Sequence, residues 1–240
     1  LWGQDLNGNG PGAGNRPASD FDTGNCSNGN CDRRVAYLKT ATDLMVDDLK
    51  WMAGQWDKGG DAYASLIDGD KKKSLVAMIT GMGSLSYGEL AGERMKLGLI
   101  LHDPEEEHDC FSDNTHYSHF YDAVGIRNVF QGSYTRVDGS TVSGLGLKDL
   151  LPADKATELG AALNDTVAKM QVMVDRAEGG EAYDQQISEG NAEGNATVQA
   201  AIDALVVQTK SLERAVASLG LAKIGFEGSD SLDNPSTVTE

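Results

Sequence analysis

Residues 102–119, which read HDPEEEHDCFSDNTHYSH, concentrate the side chains of this sequence that can bind a metal ion or move a proton. Imidazole and carboxylate groups are common ligands of zinc and iron, and histidine has an unperturbed pKa near neutral pH. The segment is therefore a candidate ligand-binding or catalytic cluster. It contains all four histidines, one of the three cysteines and six carboxylates: His102, His108, His116, His119, Cys110, Asp103, Glu105, Glu106, Glu107, Asp109 and Asp113.

The ends of helices offer a second interpretation of the same segment. Asp103, Pro104 and Glu106 suit the N-cap, N1 and N3 positions of a helix, and residues 112–115 are all of types that cap helices. Capping does not account for four histidines within eighteen residues. The spacing also matches no closed zinc motif, because it contains neither Cys-x-x-Cys nor His-Glu-x-x-His. Both interpretations stay open at this point.

The composition narrows the classes of partner. Acidic residues outnumber basic ones 37 to 20, and the formal charge of −17 argues against a surface that attracts nucleic acid or anionic lipid. The charge either favours cations as partners or serves only to keep the protein soluble. A length of 240 residues and a hydrophobic content of 40% suffice for one large domain or two small ones. The sequence has no apolar run long enough to span a membrane and does not open with a signal peptide.

The first thirty residues form a loop segment by composition. Residues 3–31 are dense in Gly, Asn, Asp and Pro. The run from Asp5 to Gly10 resembles the first half of a calcium-binding loop, but Arg16 occupies the position at which an EF-hand needs a bidentate glutamate. Calcium is therefore not an expected cofactor.

Cys26 and Cys31 enclose a short turn near the end of this segment. Such a pair is readily bridged in an oxidising compartment, whereas both cysteines would remain thiols in the cytosol. A bridge would restrict only a short loop and stabilise the fold by about 2 kcal/mol, so its main effect would be to hold the start of the next helix. Cys110 has no evident partner.

Four amphipathic segments predict long helices, at 32–56, 84–101, 152–175 and 196–219. The first has Asp32 as its expected N-cap and a stripe that is typical of a seam between helices. The second ends at the start of the cluster at 102–119. The stripe of the first helix consists of Val35, Leu38, Thr42, Met45, Leu49, Met52 and Trp56.

This pattern predicts an all-α fold. No stretch alternates convincingly as a strand would, and the simplest arrangement is a four-helix bundle whose second connection is a long, elaborated crossover. Residues 132–146 are expected to form a loop, and residues 74–80 a short apolar segment. The predicted organisation is a loop segment at 1–31, a helical bundle domain at 32–219 and an irregular tail at 220–240.

Three stretches carry a resemblance to a known family: EEHDCFSDNTH at 106–116, GIRNVFQG at 125–132 and LWGQDLNGNGPGAGNRP at 1–17. The sequence resembles the imelysin-like family, specifically its iron-regulated protein A branch. The resemblance implies an exported protein of the bacterial cell envelope, in the periplasm or at the outer membrane. It also implies two α-helical bundle domains, frequent lipid anchoring and a link to iron acquisition.

The resemblance also implies what this chain does not contain. The family's Gly-x-His-x-x-Glu motif stands before Leu-Trp-Gly and is absent here, so the chain looks like the second bundle, with an N-terminal bundle as its partner. Membrane attachment is then expected only through a lipid anchor outside this chain. The matching second-half block is expected to face the missing motif across the domain interface. It consists of Glu107, His108, Ser112, Asp113 and His116.

Three functions compete on these grounds. In the first, a binding protein captures iron or an iron-bearing ligand; Glu107, His108, Asp113 and His116 are the candidate ligands of iron or zinc. Ser112 and His102 are further site candidates. The second is a metallopeptidase, in which a bound metal lowers the pKa of its water and a carboxylate acts as general base. The third is a cell-surface scaffold or adhesion domain without a metal site. The binding protein is the preferred interpretation.

Overall fold

The computed structural model of the chain describes residues 16–109, 112–221 and 224–238. Most of these residues are helical, and the strands among them form one two-stranded sheet, which confirms the predicted all-α class. The chain divides into two units, Leu1–Ser74 and Leu75–Glu240. The division predicted from sequence, with boundaries at 31 and 219, stays a prediction. The calcium-like run at 5–10 and Cys110 lie outside the described residues.

A buried carboxylate organises the loop that begins the first unit. Asp20 lies within a 3₁₀ turn at Ala18–Phe21 and is fully buried. It accepts hydrogen bonds from Arg16 Nη1 at 2.5 Å and from Asn28 Nδ2 at 2.9 Å. Because a buried carboxylate must be paired and hydrogen-bonded, these contacts hold the loop in one conformation.

The predicted disulfide is present and leads into helix α1 (Cys31–Gln55). Cys26 and Cys31 are bonded, with their Cα atoms 5.8 Å apart. The helix starts after Asn30, which adopts a left-handed conformation with φ of 54°. Asp32 is therefore not the N-cap that the sequence predicted, since the bridged Cys31 already belongs to the first turn.

The apolar stripe of α1 is exposed. Leu38, Met45 and Leu49, all in the predicted seam, have 44%, 55% and 54% of their surfaces accessible. Cys31 is the buried residue of this helix. Helix α2 (Asp61–Tyr63) and a π-helical turn at Ala64–Asp68 complete the described elements of this unit before the chain enters its longest helix.

That helix runs without interruption from Lys71 to Leu101. It consists of α3 (Lys71–Ser84), a wider π-helical stretch (Leu85–Lys96) and α4 (Leu97–Leu101). The sequence predicted its second half but placed the start at residue 84, because the lysine-rich and Gly-rich residues before it resemble a connection. The apolar residues 74–80, which were expected to form a separate short segment, belong to α3.

Further helices and a hairpin follow. Helix α5 (Thr115–Gln131) leads into strands β1 (Ser133–Thr135) and β2 (Thr141–Ser143), which pair antiparallel. The hairpin lies where the sequence predicted a loop. It was not predicted because its strands are three residues long and show no clear alternation of polar and apolar residues. After a 3₁₀ turn at Leu147–Leu150 come α6 (Ala153–Glu178), α7 (Tyr183–Ile187) and α8 (Ala192–Ser218).

The core of the second unit lies between its long helices. Helix α6 packs against α5 and α8, and α8 packs against the π-helical stretch. Apolar side chains of these elements form two buried clusters, of which the one nearer the candidate site is centred on Leu90, Met95, Met170, Met173, Ile202 and Leu205. Burial of such side chains stabilises a fold by about 1.5–3 kcal/mol each before the cost of ordering them.

The C-terminal segment, predicted to be irregular, contains α9 (Asp230–Asp233) and a 3₁₀ turn at Pro235–Thr237. Ser231 Oγ donates to the carbonyl oxygen of Gly92 at 2.9 Å. A Cβ atom on Gly92 would lie 2.2 Å from the Cβ of Ser229, so the glycine permits this close approach. The sequence pattern could not reveal how the C-terminal segment packs, because the contact depends on the absence of a side chain at Gly92, in a helix far away in the sequence.

Candidate functional site

The cluster predicted from sequence lies between α4 and α5, and both ends of its loop are held in place. His102 follows α4 in a left-handed conformation with φ of 53°, and its Nδ1 lies 2.7 Å from the carbonyl oxygen of Ile187. Asp103 caps a single 3₁₀ turn at Pro104–Glu106 and accepts a hydrogen bond from the Glu105 N–H at 2.9 Å. The helix start predicted at Asp103 is therefore confirmed only as one short turn.

The far end of the loop is tied to the start of α5. The Asp109 N–H donates to Oγ1 of the buried Thr115 at 2.9 Å, and the Ser118 hydroxyl donates to the Asp109 carboxylate. Asn114 is the N-cap residue, but its side chain forms no capping hydrogen bond. These contacts position Glu107 and His108 against α5.

Glu107 is a buried carboxyl group with an unpartnered oxygen. Its exposed fraction is 7%, and Oε2 has no hydrogen-bond partner among the described residues. Burial raises the pKa of this carboxyl to about 7, and the charges of Asp184, Asp113 and Asp109 add to the shift, while the Thr115 hydroxyl opposes it. Glu107 therefore exchanges its proton near neutral pH.

His119 is the most deeply buried histidine. It has no exposed surface, and neither ring nitrogen has a hydrogen-bond partner within the described residues. Burial lowers its pKa to about 3, and the nearby His108 and Arg94 side chains lower it further, while a contact with the Arg94 backbone partly opposes the shift. His119 is thus neutral at physiological pH, because an imidazolium in this position would lose its hydration and lie near the Arg94 charge.

The partner of the His119 ring is Tyr183 at the start of α7. The two rings meet edge to face, with their centroids 5.1 Å apart. Tyr183 is fully buried, its hydroxyl has no hydrogen-bond partner in the described part of the chain, and burial raises its pKa. Edge-to-face contact stabilises such a pair modestly, but it leaves the polar atoms of both rings unsatisfied.

His116 lies one helical turn before His119. It is 8% exposed, its Nδ1 is unpartnered within the described residues, and burial lowers its pKa although Asp113 and Glu178 act in the opposite direction. His108 is exposed, and its ring centroid is 6.4 Å from that of His119. Glu107, His116 and His119 are thus buried residues with unpartnered polar atoms, and we call the three together the Glu–His cluster.

An open polar cavity of about 640 Å³ lies beside the Glu–His cluster. The Arg94 guanidinium in its wall pairs with Asp122 at 2.9 Å and with Glu89 at 3.3 Å. Burial raises the pKa of Asp122, whereas the Arg94 charge lowers it. The lining consists of Arg94, His108, Asn114, Tyr117, Ser118, Tyr121 and Asp122.

Two tyrosines form the outer part of this cavity. The Tyr117 and Tyr121 rings stack with their centroids 6.0 Å apart. The Tyr117 hydroxyl donates to the Glu178 carboxylate, which raises the pKa of the tyrosine. The Tyr117 hydroxyl proton is thus engaged by Glu178, and the Tyr117 oxygen remains able to accept a hydrogen bond.

The structure separates the residues that the sequence proposed as a site. Glu107 and His116 belong to the buried Glu–His cluster, and His108 lines the cavity beside it. Ser112 donates to the Asp109 carbonyl oxygen at 3.3 Å, while His102 contacts Ile187 and lines a different depression. Asp113 adopts a left-handed conformation with φ of 55°.

These residues do not make a complete metal centre by themselves. Among the described residues, no group of three or more His, Cys, Asp or Glu side chains is placed to hold a metal ion. Structural and catalytic zinc sites use at least three protein ligands. The described residues alone therefore do not supply the three protein ligands that such a site needs.

Sequence reasoning did not identify several residues around the site. Asn114, Ser118 and Tyr121 share a helix face with Asp122, and their spacing of four and three residues could have predicted this wall. Arg94 and Tyr183 come from distant segments, and no local pattern connects them with 102–119.

The family of the chain is shown by comparison with known proteins. Residues 1–212 match the family model described as Peptidase_M75, imelysin. The protein belongs to the imelysin family. A search of curated proteins finds no match to the chain.

Imelysin-family proteins are generally exported. Within the described ranges, no helix of this imelysin-family protein is both long and apolar enough to cross a membrane.

Proposed function

We propose that this protein is a binding protein of the bacterial cell envelope that takes part in iron acquisition, as a member of the iron-regulated protein A branch of the imelysin family. The observation that carries the proposal is the polar cavity beside the Glu–His cluster. Its wall offers a guanidinium, an imidazole and a phenol, from Arg94, His108 and Tyr121. These groups donate hydrogen bonds to oxygen atoms, so the expected cargo is an iron-bearing molecule with exposed oxygens.

The buried Glu–His cluster supports a role in binding. An unsatisfied buried polar atom costs about 1–3 kcal/mol, and this cluster has several such atoms. Strained or unsatisfied groups are found preferentially at functional sites, where a ligand or an adjoining surface supplies what the free chain lacks.

Isothermal titration calorimetry with ferric citrate, compared with citrate alone, tests this proposal. We expect saturable binding of ferric citrate and at least about tenfold weaker binding of citrate. This ratio corresponds to a contribution of about 1.4 kcal/mol from the iron centre to the binding free energy. His108→Ala should weaken binding by about tenfold, since it removes one hydrogen bond to a charged ligand. Glu105→Ala is the matched control, because Glu105 is exposed on the same loop but does not line the cavity.

The same titration can refute the proposal. Equal heats for ferric citrate and citrate, or equal affinities of the His108→Ala and Glu105→Ala variants, would show that the cavity does not recognise an iron-bearing molecule. The metallopeptidase alternative is tested by incubating the protein with casein and zinc. Cleavage that a chelator abolishes and zinc restores would replace the binding proposal with that alternative.

A further inference from the structure

A second and larger groove lies between α5 and the β-hairpin. Its volume is about 1280 Å³, above the roughly 300–1,000 Å³ of typical small-molecule pockets, and it opens widely to solvent. One wall comes from α5 and the other from strands β1 and β2. We call it the hairpin groove.

The register of the hairpin determines which side chains can share the groove wall. Tyr134 pairs directly with Val142, so their side chains lie on the same face of the sheet. Arg136 follows the last residue of β1 and also lines the groove. Tyr134 and Val142 are 54% and 45% exposed, which leaves apolar surface open along the groove.

The helical wall combines apolar and polar side chains and has a gap. Val124, Asn128 and Val129 line it, and Gly125 lies between them. A Cβ atom placed on Gly125 would have no heavy atom within 4 Å, so the space above this residue is empty. A side chain of a bound molecule can therefore approach the helix backbone at this point.

The charge of the groove differs from that of the whole chain. The sequence has 37 acidic and 20 basic residues, yet the described lining of the hairpin groove contains two arginines, Arg127 and Arg136, and no carboxylate. Neither arginine forms an ion pair within the described residues. The nearby Asp138 carboxylate accepts the Ser140 N–H at 2.8 Å.

The two arginines also have unused hydrogen-bonding capacity. Arg127 Nε is buried and has no partner in the described part of the chain. The contact of Arg136 is a long one, from Nη1 to Ser140 Oγ at 3.4 Å. Because a guanidinium pairs with carboxylates through two parallel hydrogen bonds, both residues are suited to bind acidic side chains.

We propose that the hairpin groove binds an extended acidic peptide segment of a partner protein. Its carboxylates pair with Arg127 and Arg136, and its apolar side chains pack against Tyr134 and Val142 and fill the gap above Gly125. Negative charges more than about 8 Å from the groove are largely screened at physiological ionic strength and oppose binding little. A peptide also suits the size and openness of the groove better than a small molecule does.

Fluorescence anisotropy with three labelled hexapeptides tests the charge requirement. The probes are Val-Glu-Val-Asp-Val-Glu, its amide counterpart Val-Gln-Val-Asn-Val-Gln and the cationic Val-Lys-Val-Lys-Val-Lys. We expect the acidic peptide to bind at least about tenfold more tightly than the amide peptide, since the latter cannot form the two ion pairs with Arg127 and Arg136. Equal binding of the acidic and amide peptides, tighter binding of the cationic one, or no saturable binding would overturn the proposal.

Variants at glycine test the location. Gly125→Leu should abolish binding of the acidic peptide by filling the groove. Gly81→Leu is the matched control, because Gly81 is also an exposed helical glycine with no heavy atom within 4 Å of its Cβ position. Circular dichroism melting curves verify that both variants fold. Retained binding in the Gly125→Leu variant would place the peptide elsewhere.

Charge reversal tests the arginines independently of the glycine. The double variant Arg127→Glu, Arg136→Glu should lose the acidic peptide and gain the cationic one, whereas Arg33→Glu, at an exposed arginine of α1, should leave both affinities unchanged. If the double variant does not fold, Arg136→Glu alone is used, since Arg136 is exposed. An unchanged preference for the acidic peptide in a folded variant would refute the pairing.

Discussion

Replacing Glu107 with glutamine should change how the stability of the fold depends on pH. Glu107 is 7% exposed, and burial raises the pKa of its carboxyl from 4.5 to about 7. Between these pH values the unfolded chain has released a proton that the folded chain retains. Raising the pH therefore favours the unfolded state, and the loss of stability is complete once the pH exceeds about 7.

The magnitude follows from the shift in pKa. A change from 4.5 to about 7 corresponds to at most about 3 kcal/mol, at about 1.4 kcal/mol per pKa unit. Any water that reaches the carboxyl reduces this figure. Glutamine has a similar size but does not titrate. The stability of Glu107→Gln relative to the wild type should therefore rise by up to about 3 kcal/mol between pH 4 and pH 8.

Urea unfolding at each pH, in the presence of a chelator, measures this difference. Glu105→Gln is the control, because the exposed Glu105 lies on the same loop, and its stability should follow that of the wild type. The effect of Glu107 is measured as a difference between variant and wild type, because His119 also titrates. Between about pH 4.5 and 6.5 rising pH increases stability through His119 and decreases it through Glu107, so the two effects offset each other in the wild type. If the free energies of unfolding of Glu107→Gln and the wild type differ by the same amount from pH 4 to pH 8, the pKa of Glu107 is not raised in the folded protein.

Three further predictions concern residues that position the site or begin the fold. In urea unfolding, the stability of His119→Leu relative to the wild type should rise by up to about 5 kcal/mol as the pH falls from 7 to 3. The pKa of His119 is about 3 in the folded protein, so the unfolded chain binds the proton more strongly and acid destabilises only the wild type. A stability difference that does not change with pH would contradict this. Gly92→Ala should lower the free energy of unfolding by about 1–3 kcal/mol, since its Cβ would lie 2.2 Å from that of Ser229; unchanged stability would show that the C-terminal segment is not held there. Reduction of the Cys26–Cys31 disulfide should accelerate amide exchange in residues 16–30, with a local loss of about 2 kcal/mol, and identical exchange in both redox states would rule out this role.

The helices were largely predictable because their apolar periodicity is local. The predicted helices at 152–175 and 196–219 correspond to Ala153–Glu178 and Ala192–Ser218. The helix from Lys71 to Leu101 was predicted only in part, since three lysines and several glycines hide its first half. Tertiary packing overrides weak local preference in such segments.

The candidate site was predictable in composition but not in arrangement. The density of histidine and carboxylate identified Glu107, His108 and His116, and nothing in the sequence separated the exposed His108 from the two groups that are buried. Burial of Glu107 and His116 depends on how the loop after α4 meets α5. Tyr183, which contacts the site from more than sixty residues further along the chain, could be found only from the fold.

The unsatisfied atoms of the Glu–His cluster distinguish a structural role from a binding role. If the cluster only fills space, apolar residues of similar size should stabilise the protein at every pH, because each unpartnered buried atom costs about 1–3 kcal/mol. If the cluster serves binding, the same replacements should stabilise the free protein and lower its affinity for the ligand. His116→Leu tests both in one variant: higher stability with unchanged affinity for ferric citrate indicates a structural cluster. Higher stability with lower affinity indicates that the unpartnered atoms of His116 destabilise the free protein but are needed for binding.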